Sequence, residues 1–265
     1  MNQPATQPDT AFDHHDRTEF QLERLILFTD AVFAIAITLL AIEIRVPEFH
    51  QRPSDGEIWY GMAELSFKFV GFFIGFGVIA RFWLAHHRIF RFVRTYDAKL
   101  LSLNLVFLFF IVVMPFSSGL FGAYATVRAA FVFYAITVML AGLAQMALQR
   151  YLRDPAHRLI LPEDSTHPDL DLGRPLVPVV GFVLATVVVS LLPDNGRSMW
   201  LIPFTPLLTL PLLWLQTRRT ARLRQYLAQR EQPPVAEAAA PPPEAVEIPE
   251  VAAPAPERAA AVATT

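Results

Sequence analysis

Residues 24–47 read R-L-I-L-F-T-D-A-V-F-A-I-A-I-T-L-L-A-I-E-I-R-V-P. The stretch is long and apolar enough to cross a bilayer, because a membrane span needs about 20 helical residues. It also carries Thr29, Asp30 and Thr38, which a simple membrane anchor has no need of, since polar groups are costly inside a bilayer. We therefore predict a membrane helix that lines a passage through the protein or contacts other helices, and not a simple anchor.

The rest of the chain has the composition of a membrane protein. Of its 265 residues, 54% are hydrophobic and 17% are charged, whereas soluble domains carry about 25% charged residues. The sequence therefore predicts an all-α integral membrane protein with six transmembrane helices. The predicted spans cover approximately residues 25–46, 58–84, 100–122, 129–148, 176–192 and 199–215.

Lysine and arginine residues are distributed unevenly between the two sets of segments outside these spans. Six spans would place four segments on one side of the membrane: residues 1–24, 85–99, 149–174 and 217–231. These segments hold fifteen lysine and arginine residues, and the connections on the other side hold four. Because cytoplasmic segments are enriched in lysine and arginine, we predict that both termini are cytoplasmic.

The segments outside the membrane differ in composition. We interpret residues 1–23 as a cytoplasmic N-terminal arm and residues 24–216 as the six-helix membrane domain. Residues 217–231 are basic and predict a juxtamembrane helix near anionic lipid, although a solvated end of the last span is an equal alternative. Residues 232–265 are rich in proline and alanine and predict a disordered tail.

Asp30 is the residue that most demands a partner, because a carboxylate within a span normally faces protein or water. Arg24 lies on a different face of the same helix, so we expect partners from other helices. The polar or amphipathic residues at the matching depth of the second and third spans are Arg81, Trp83, His86, His87 and Asn104.

The two adjacent histidines do not predict a metal site. Neighbouring side chains on a helix diverge by about 100°, and no third ligand is suitably spaced. The sequence also lacks hydrolase triads, phosphate-binding loops and zinc-protease motifs. We predict no cofactor and no enzymatic activity, and the net charge of -2 does not indicate a nucleic-acid partner.

A second group of residues forms a stripe on the first helix. At about 100° per residue, Ile35, Thr38 and Ile42 fall on one face. Such a stripe can face lipid, pack on a neighbouring helix or line a pore, and periodicity alone leaves these alternatives open.

Three sequence motifs carry a resemblance to a known family. The run R-L-I-L-F-T-D-A-V-F-A-I-A-I-T-L-L resembles the first-helix signature of the transmembrane protein 175 family of potassium channels, with Thr29 where that family usually has serine. The segment F-W-L-A-H-H-R-I-F is similar to the end of the family's second helix, and N-L-V-F-L-F-F-I-V-V-M-P-F-S is similar to its third.

The resemblance implies a homotetramer in a bacterial inner membrane, with the first helix of each subunit around a central pore. It implies that Ile35 forms the narrowest ring, with a hydroxyl layer at Thr38 and a further apolar ring at Ile42. Potassium would be the permeant ion, with modest selectivity over sodium. The residues expected to hold the pore helix in place are Arg24, Phe28, Thr29, Asp30, Trp83, His86, His87 and Asn104.

Two other functions remain open at this point. Asp30 with His86 and His87 could relay protons in a proton-coupled carrier, because intramembrane acids and histidines mark such paths. Alternatively, the chain could be a non-conducting membrane scaffold whose proline-rich tail recruits partners.

Overall fold

The computed structural model describes residues 10–193 and 200–208, together with residues 210, 211, 214, 215, 217, 218 and 221. All of them belong to the first of two units, Met1–Arg224 and Gln225–Thr265. Within these residues every regular element is helical, which confirms the predicted all-α class. The α-helices are α1 Thr10–Ile42, α2 Asp55–Glu64, α3 Ser66–Phe90, α4 Ala98–Ala123, α5 Arg128–Arg153 and α6 Gly173–Leu191.

Helix α1 differs from the predicted first span at both ends. It begins at Thr10, within the segment interpreted as an arm, and its 33 residues correspond to a length of about 50 Å. The apolar part suited to a membrane is Glu19–Ile42. The helix ends at Ile42, where the amide of Ile44 donates to the carbonyl oxygen of Ala41 at 3.2 Å in a tighter final turn. Pro47 restricts only the residue directly before it, so it does not account for this earlier end.

The predicted second span, 58–84, is divided between two helices. The short helix α2 begins with a capping box, in which the side chains of Ser54 and Glu57 each accept a hydrogen bond from the other residue's backbone amide. It stops at Leu65, whose amide donates to the carbonyl oxygen of Met62 at 3.1 Å, as in a tighter turn. Only α3 is long enough to span a membrane, and it continues to Phe90 rather than ending near residue 84.

The described residues contain five helices that are long and apolar enough to cross a membrane: part of α1, and α3 to α6. Of the predicted sixth span, 199–215, residue 199 and several later positions lie outside the described residues. Its described part begins as a 3-10 helix, Ile202–Leu208, which includes Pro203 and Pro206. Proline lacks the backbone N–H that a regular α-helix requires, which accounts for an irregular element here. The predicted tail, 232–265, lies outside the described residues, as does nearly all of 217–231.

Helix α4 is the centre of the bundle. It packs against α1, α3 and α5, and α5 packs in turn against α6. Phe33 of α1, Phe107 and Ile111 of α4, and Tyr134 of α5 are buried in one apolar core. Because α4 touches three neighbours, its position determines where α1 and α3 can lie.

Two glycines allow α3 to approach α4 closely. A Cβ atom on Gly71 would lie 2.9 Å from the Cα atom of Gly122, and one on Gly75 would lie 2.4 Å from the Oγ atom of Ser118. The Ser118 hydroxyl donates to the carbonyl oxygen of Gly71 at 2.7 Å, across the contact. Small residues at such crossings bring helix backbones together in membranes, where packing drives association.

The loop between α5 and α6 is attached to the end of α3 by charged residues. The carboxylate of Asp169 is buried, pairs with Arg91, and accepts from Arg174 Nη1 at 2.8 Å. Nearby, Asp97 caps α4 by accepting from the Leu100 amide at 2.7 Å and also accepts from the Tyr151 hydroxyl. Burial raises the pKa of the Asp97 carboxyl, but these hydrogen bonds outweigh burial and lower it below its ordinary value.

Candidate functional site

A buried hydrogen-bond chain joins α1, α3 and α4. Asn104 Nδ2 donates to Thr29 Oγ1 at 2.9 Å, and the Thr29 hydroxyl donates to the carbonyl oxygen of Leu25 on its own helix, also at 2.9 Å. The Nε2 atom of His86 lies 2.9 Å from Asn104 Oδ1. Because an amide oxygen only accepts, His86 must carry its proton on Nε2.

This chain satisfies polar groups that are otherwise costly inside a membrane helix bundle. Thr29, His86 and Asn104 are all buried, and each makes at least one hydrogen bond to another member. The His86 ring also stacks on Phe90 and Phe107, with ring centroids 4.0 and 5.7 Å away. Since the three residues come from three helices, the network sets both the rotation and the height of α1 against its neighbours.

Asp30 makes a separate contact with α3. The indole Nε1 of Trp83 donates to Asp30 Oδ1 at 2.9 Å, and the His87 ring stacks on Trp83 with centroids 5.5 Å apart. The structure thus gives the carboxylate a hydrogen-bond donor from another helix. Thr29 and Asp30, although adjacent in sequence, contact different partners because neighbouring residues point about 100° apart on a helix.

Two residues of the same sequence signature lie outside these contacts. Arg24 and Phe28 are exposed on the surface of the single chain, and Phe28 keeps about half of its side chain accessible. The structure therefore brings together Thr29, Asp30, Trp83, His86, His87 and Asn104, and leaves Arg24 and Phe28 apart from them.

The predicted stripe lies on the side of α1 that the other described helices do not cover. Ile35 is 59% exposed and Ile42 is 68% exposed, and Thr38 between them is also exposed. The opposite side of α1, with Phe33 and Leu40, is buried against α3 and α4. One face of α1 is thus held by its own chain, and the other faces outward.

The Thr38 hydroxyl is oriented by its own helix. It donates to the carbonyl oxygen of Ile35 at 2.9 Å. A hydroxyl oxygen has two acceptor positions in addition to its proton. With the proton directed to the backbone, the oxygen can offer lone pairs to a cation on the exposed face.

Glu43 is a polar residue of this region that the sequence analysis did not select. It directly follows the last residue of α1, and its carboxylate lies against Gly119 of α4, where an added Cβ atom would be 2.6 Å from Glu43 Oε2. The signal available in the sequence was a carboxylate one residue after Ile42, the last residue of the stripe. Across the described part of the chain, no three His, Cys, Asp or Glu side chains are grouped as metal ligands.

Replacing Asn104 by leucine is expected to destabilise the bundle by about 1–3 kcal/mol, because the buried Nε2–H of His86 loses its acceptor. Thermal unfolding in detergent measures the effect. Ser102→Ala is the matched control on α4, since Ser102 is exposed and donates only to the carbonyl oxygen of Ala98. An Asn104→Leu protein that unfolds at the wild-type temperature would show that the network contributes nothing to stability.

Comparison with known proteins adds to these observations. The family model described as endosomal/lysosomal potassium channel TMEM175 matches residues 24–115, which include the later part of α1, all of α2 and α3, and most of α4. A potassium channel of Streptomyces collinus is 30% identical over 138 residues, which cover 51% of this chain and 66% of that protein. A potassium channel of Chamaesiphon minutus is 35% identical over 101 residues, covering 38% of this chain and 49% of that protein.

The matched stretch therefore spans about two thirds of the first relative and half of the second. The crystal structure of a lysosomal potassium-selective channel TMEM175 homolog from Chamaesiphon minutus superposes with a TM-score of 0.57 at 25% identity. The superposition covers 76% of this chain and 98% of that one. The chain belongs to the TMEM175 family as a multi-pass membrane protein similar to its bacterial members.

Proposed function

We propose that the chain is a subunit of a potassium-permeable cation channel whose pore is lined by α1. The observation that carries this function is the exposed stripe of Ile35, Thr38 and Ile42 on a membrane helix whose other face is held by α3 and α4. The names of the bacterial relatives, which are potassium channels, support the same function.

The stripe has the chemistry of a gate with weak selectivity. A ring of Ile35 side chains forms an apolar constriction, which can close by losing its water. The oxygen of Thr38, one turn away, replaces part of the hydration shell of an ion that has passed the ring. A few hydroxyl oxygens coordinate less densely than the carbonyl cage of a classical potassium filter, so we propose only modest preference for potassium over sodium.

Four copies of the chain would complete the pore. Each chain contributes one α1, and a ring of identical helices around an axis follows the closed symmetry usual for homo-oligomers. In such a homotetramer, Arg24 and Phe28, exposed on the single chain, lie on the same face of α1 as the stripe, about three and two turns nearer the N-terminus than Ile35. We infer that the membrane domain, residues 24–216, conducts the ion, and that Asp30, His86 and Asn104 position α1 without contacting the ion.

The distribution of lysine and arginine supports an orientation with both termini in the cytoplasm of a bacterial cell, in the inner membrane. The helix α2, with Trp59 and Tyr60 strongly exposed, then lies at the outer surface. Exposed aromatic residues of this kind are enriched at the level of lipid headgroups.

Ion flux in liposomes tests the proposed function. Purified full-length protein is reconstituted, and flux is followed under outward gradients of potassium, sodium or cesium, with protein-free liposomes as the control. We expect flux with all three ions, and faster flux with potassium than with sodium. Saturable uptake that requires a pH step would instead indicate a proton-coupled carrier, and absence of flux with every ion would favour a scaffold.

A further inference from the structure

A small cavity lies at the C-terminal end of α1, where the chain leaving this helix meets α3 and α4. Its volume is about 10 Å³, which is close to the room that one water molecule needs. Three of the residues that line it have polar side chains, and each belongs to a different part of the bundle. They are Glu43, directly after α1, Lys68 in the first turn of α3, and Ser118 on α4.

Gly119 of α4 leaves the space that the Glu43 side chain occupies beside this cavity. A Cβ atom on Gly119 would lie 2.6 Å from Glu43 Oε2 and 2.7 Å from the Glu43 Cγ atom. Any larger residue at position 119 would therefore displace Glu43. The Glu43 side chain is exposed as a whole, but its carboxylate is packed against α4.

The three polar groups have complementary hydrogen-bonding capacities. The Ser118 hydroxyl donates its proton to the carbonyl oxygen of Gly71 at 2.7 Å, so its oxygen can only accept from a molecule in the cavity. The Glu43 carboxylate also accepts, whereas the Lys68 ammonium donates. One water molecule can donate to Glu43 and Ser118 while it accepts from Lys68. This makes three hydrogen bonds, the number that is usual for a buried water.

We propose that this cavity binds one water molecule that joins Glu43 to Lys68 and Ser118, and that Glu43 is thereby a positioning residue for the C-terminal end of α1. This inference rests on the proposed function, because its consequence for α1 is measured as ion flux.

A polar attachment at this end complements the one near the start of the membrane span. Thr29 and Asp30 hold α1 there through hydrogen bonds to α4 and α3. Phe33 and Leu40 hold the middle of the helix by apolar contacts, which in a membrane discriminate little between a neighbouring helix and lipid. With a second polar attachment at Glu43, the stretch of α1 that carries the stripe is fixed at both ends.

Glu64 is the other carboxylate near Lys68 in sequence, four residues before it. Helix α2 ends at Glu64 and α3 begins at Ser66, so the regular helical geometry that brings residues i and i+4 together is interrupted between them. Glu64 is also not among the residues that line the cavity. It therefore provides a control for Glu43.

Potassium flux in liposomes tests the attachment, with the full-length wild type, Glu43→Leu, Lys68→Met and the double variant. Each single substitution should raise flux about threefold, because the released end of α1 lets the ring at Ile42 widen. The double variant should show no more flux than either single variant, since all three break the same attachment. Gly119→Ala should raise flux as much as Glu43→Leu, because it displaces the carboxylate without removing its charge.

Glu64→Leu and Gly56→Ala are the matched controls, and both should show wild-type flux. Glu64→Leu makes the same chemical change as Glu43→Leu outside the cavity, and a Cβ atom on Gly56 enters open space. Thermal unfolding in detergent checks that every variant is folded. If Lys68→Met does not fold, Glu43→Leu and Gly119→Ala still decide the question, because both alter an exposed side chain.

Opposite effects of Glu43→Leu and Lys68→Met on flux would overturn the proposal, because the two charges would then act on the ion directly. Additive effects in the double variant, or an effect of Glu64→Leu as large as that of Glu43→Leu, would overturn it as well. A wild type that conducts as fast as Glu43→Leu and Gly119→Ala would remove this inference alone. A wild type that does not conduct would remove the proposed function, and this inference with it.

A high-resolution experimental structure of the wild type tests the water molecule itself. We expect density for one ordered water about 2.7–3.2 Å from a carboxylate oxygen of Glu43 and from Lys68 Nζ. A cavity without such density would contradict the proposed water site.

Discussion

Replacing Ile35 by asparagine is expected to increase potassium flux in liposomes on the order of tenfold, which corresponds to a barrier lower by about 1.4 kcal/mol. The physical reason is that a ring of amides holds water where a ring of branched aliphatic side chains excludes it. Ile35 is 59% exposed on the face of α1 that none of the helices in the described part of the chain covers, so the new amide need not be buried against them. Stability should therefore change little.

The control for this experiment is Ile136→Asn on α5, which makes the same chemical change at another exposed isoleucine of a membrane helix. Its flux should equal that of the wild type. Ile42→Asn, on the same face as Ile35, should raise flux less, because the ring at Ile42 is the wider of the two in the proposed pore. Wild-type flux in both Ile35→Asn and Ile42→Asn would remove the assignment of α1 as the pore helix.

Replacing Gly71 by leucine is expected to destabilise the protein by more than about 3 kcal/mol, the upper end of ordinary overpacking. The added Cβ atom would lie 2.9 Å from the Cα of Gly122 and 3.1 Å from the carbonyl oxygen of Ser118. These are backbone atoms, so α3 and α4 must move apart. The hydrogen bond from the Ser118 hydroxyl to the Gly71 carbonyl would be lost as well.

Gly77→Leu provides a matched comparison on the same helix. Its Cβ atom enters open space, and removal of a helical glycine reduces the conformational entropy of the unfolded chain. Its thermal stability should therefore equal or exceed that of the wild type, as measured by unfolding in detergent. Equal destabilisation by the two substitutions would show that close approach at Gly71 is not what holds α3 against α4.

These glycines illustrate how much of the helix packing could be predicted from the sequence. Gly71 and Gly75 are four residues apart and therefore share a face, whereas Gly77 is rotated by about 200° from Gly75. Glycines in a membrane helix favour close packing, but helical geometry separates the first two from the third. Which face meets α4 depended on the bundle itself.

The contacts of the polar network could also be predicted only in part. The need of Asp30 for a partner followed from the cost of a carboxylate in a span, and the candidates at matching depth followed from counting along the helices. The pairing did not follow, because it depends on how three helices are rotated about their axes. In the structure Trp83 contacts Asp30, whereas Asn104 contacts Thr29 and His86.

The helix boundaries were predictable only in part. The lengths of the apolar segments predicted five membrane helices close to their observed positions. The break at Leu65 was missed because the residue there is neither proline nor glycine, and the early end of α1 at Ile42 was missed because the apolar run continues to Val46. In both places the chain turns within a sequence that local propensity would allow to remain helical.

By itself, the sequence determined that this protein is helical, crosses a membrane several times and carries a distinctive polar signature on its first long helix. These properties depend on composition and on periodicity along the chain, which are local. Tertiary structure alone decided that Ile35, Thr38 and Ile42 face outward while Phe33 and Leu40 are buried. It also decided that Asp30 contacts Trp83, whereas Asn104 contacts Thr29 and His86. The physical reason is that the burial and pairing of side chains depend on the angles at which helices cross. These angles are set by side-chain contacts between residues far apart in sequence.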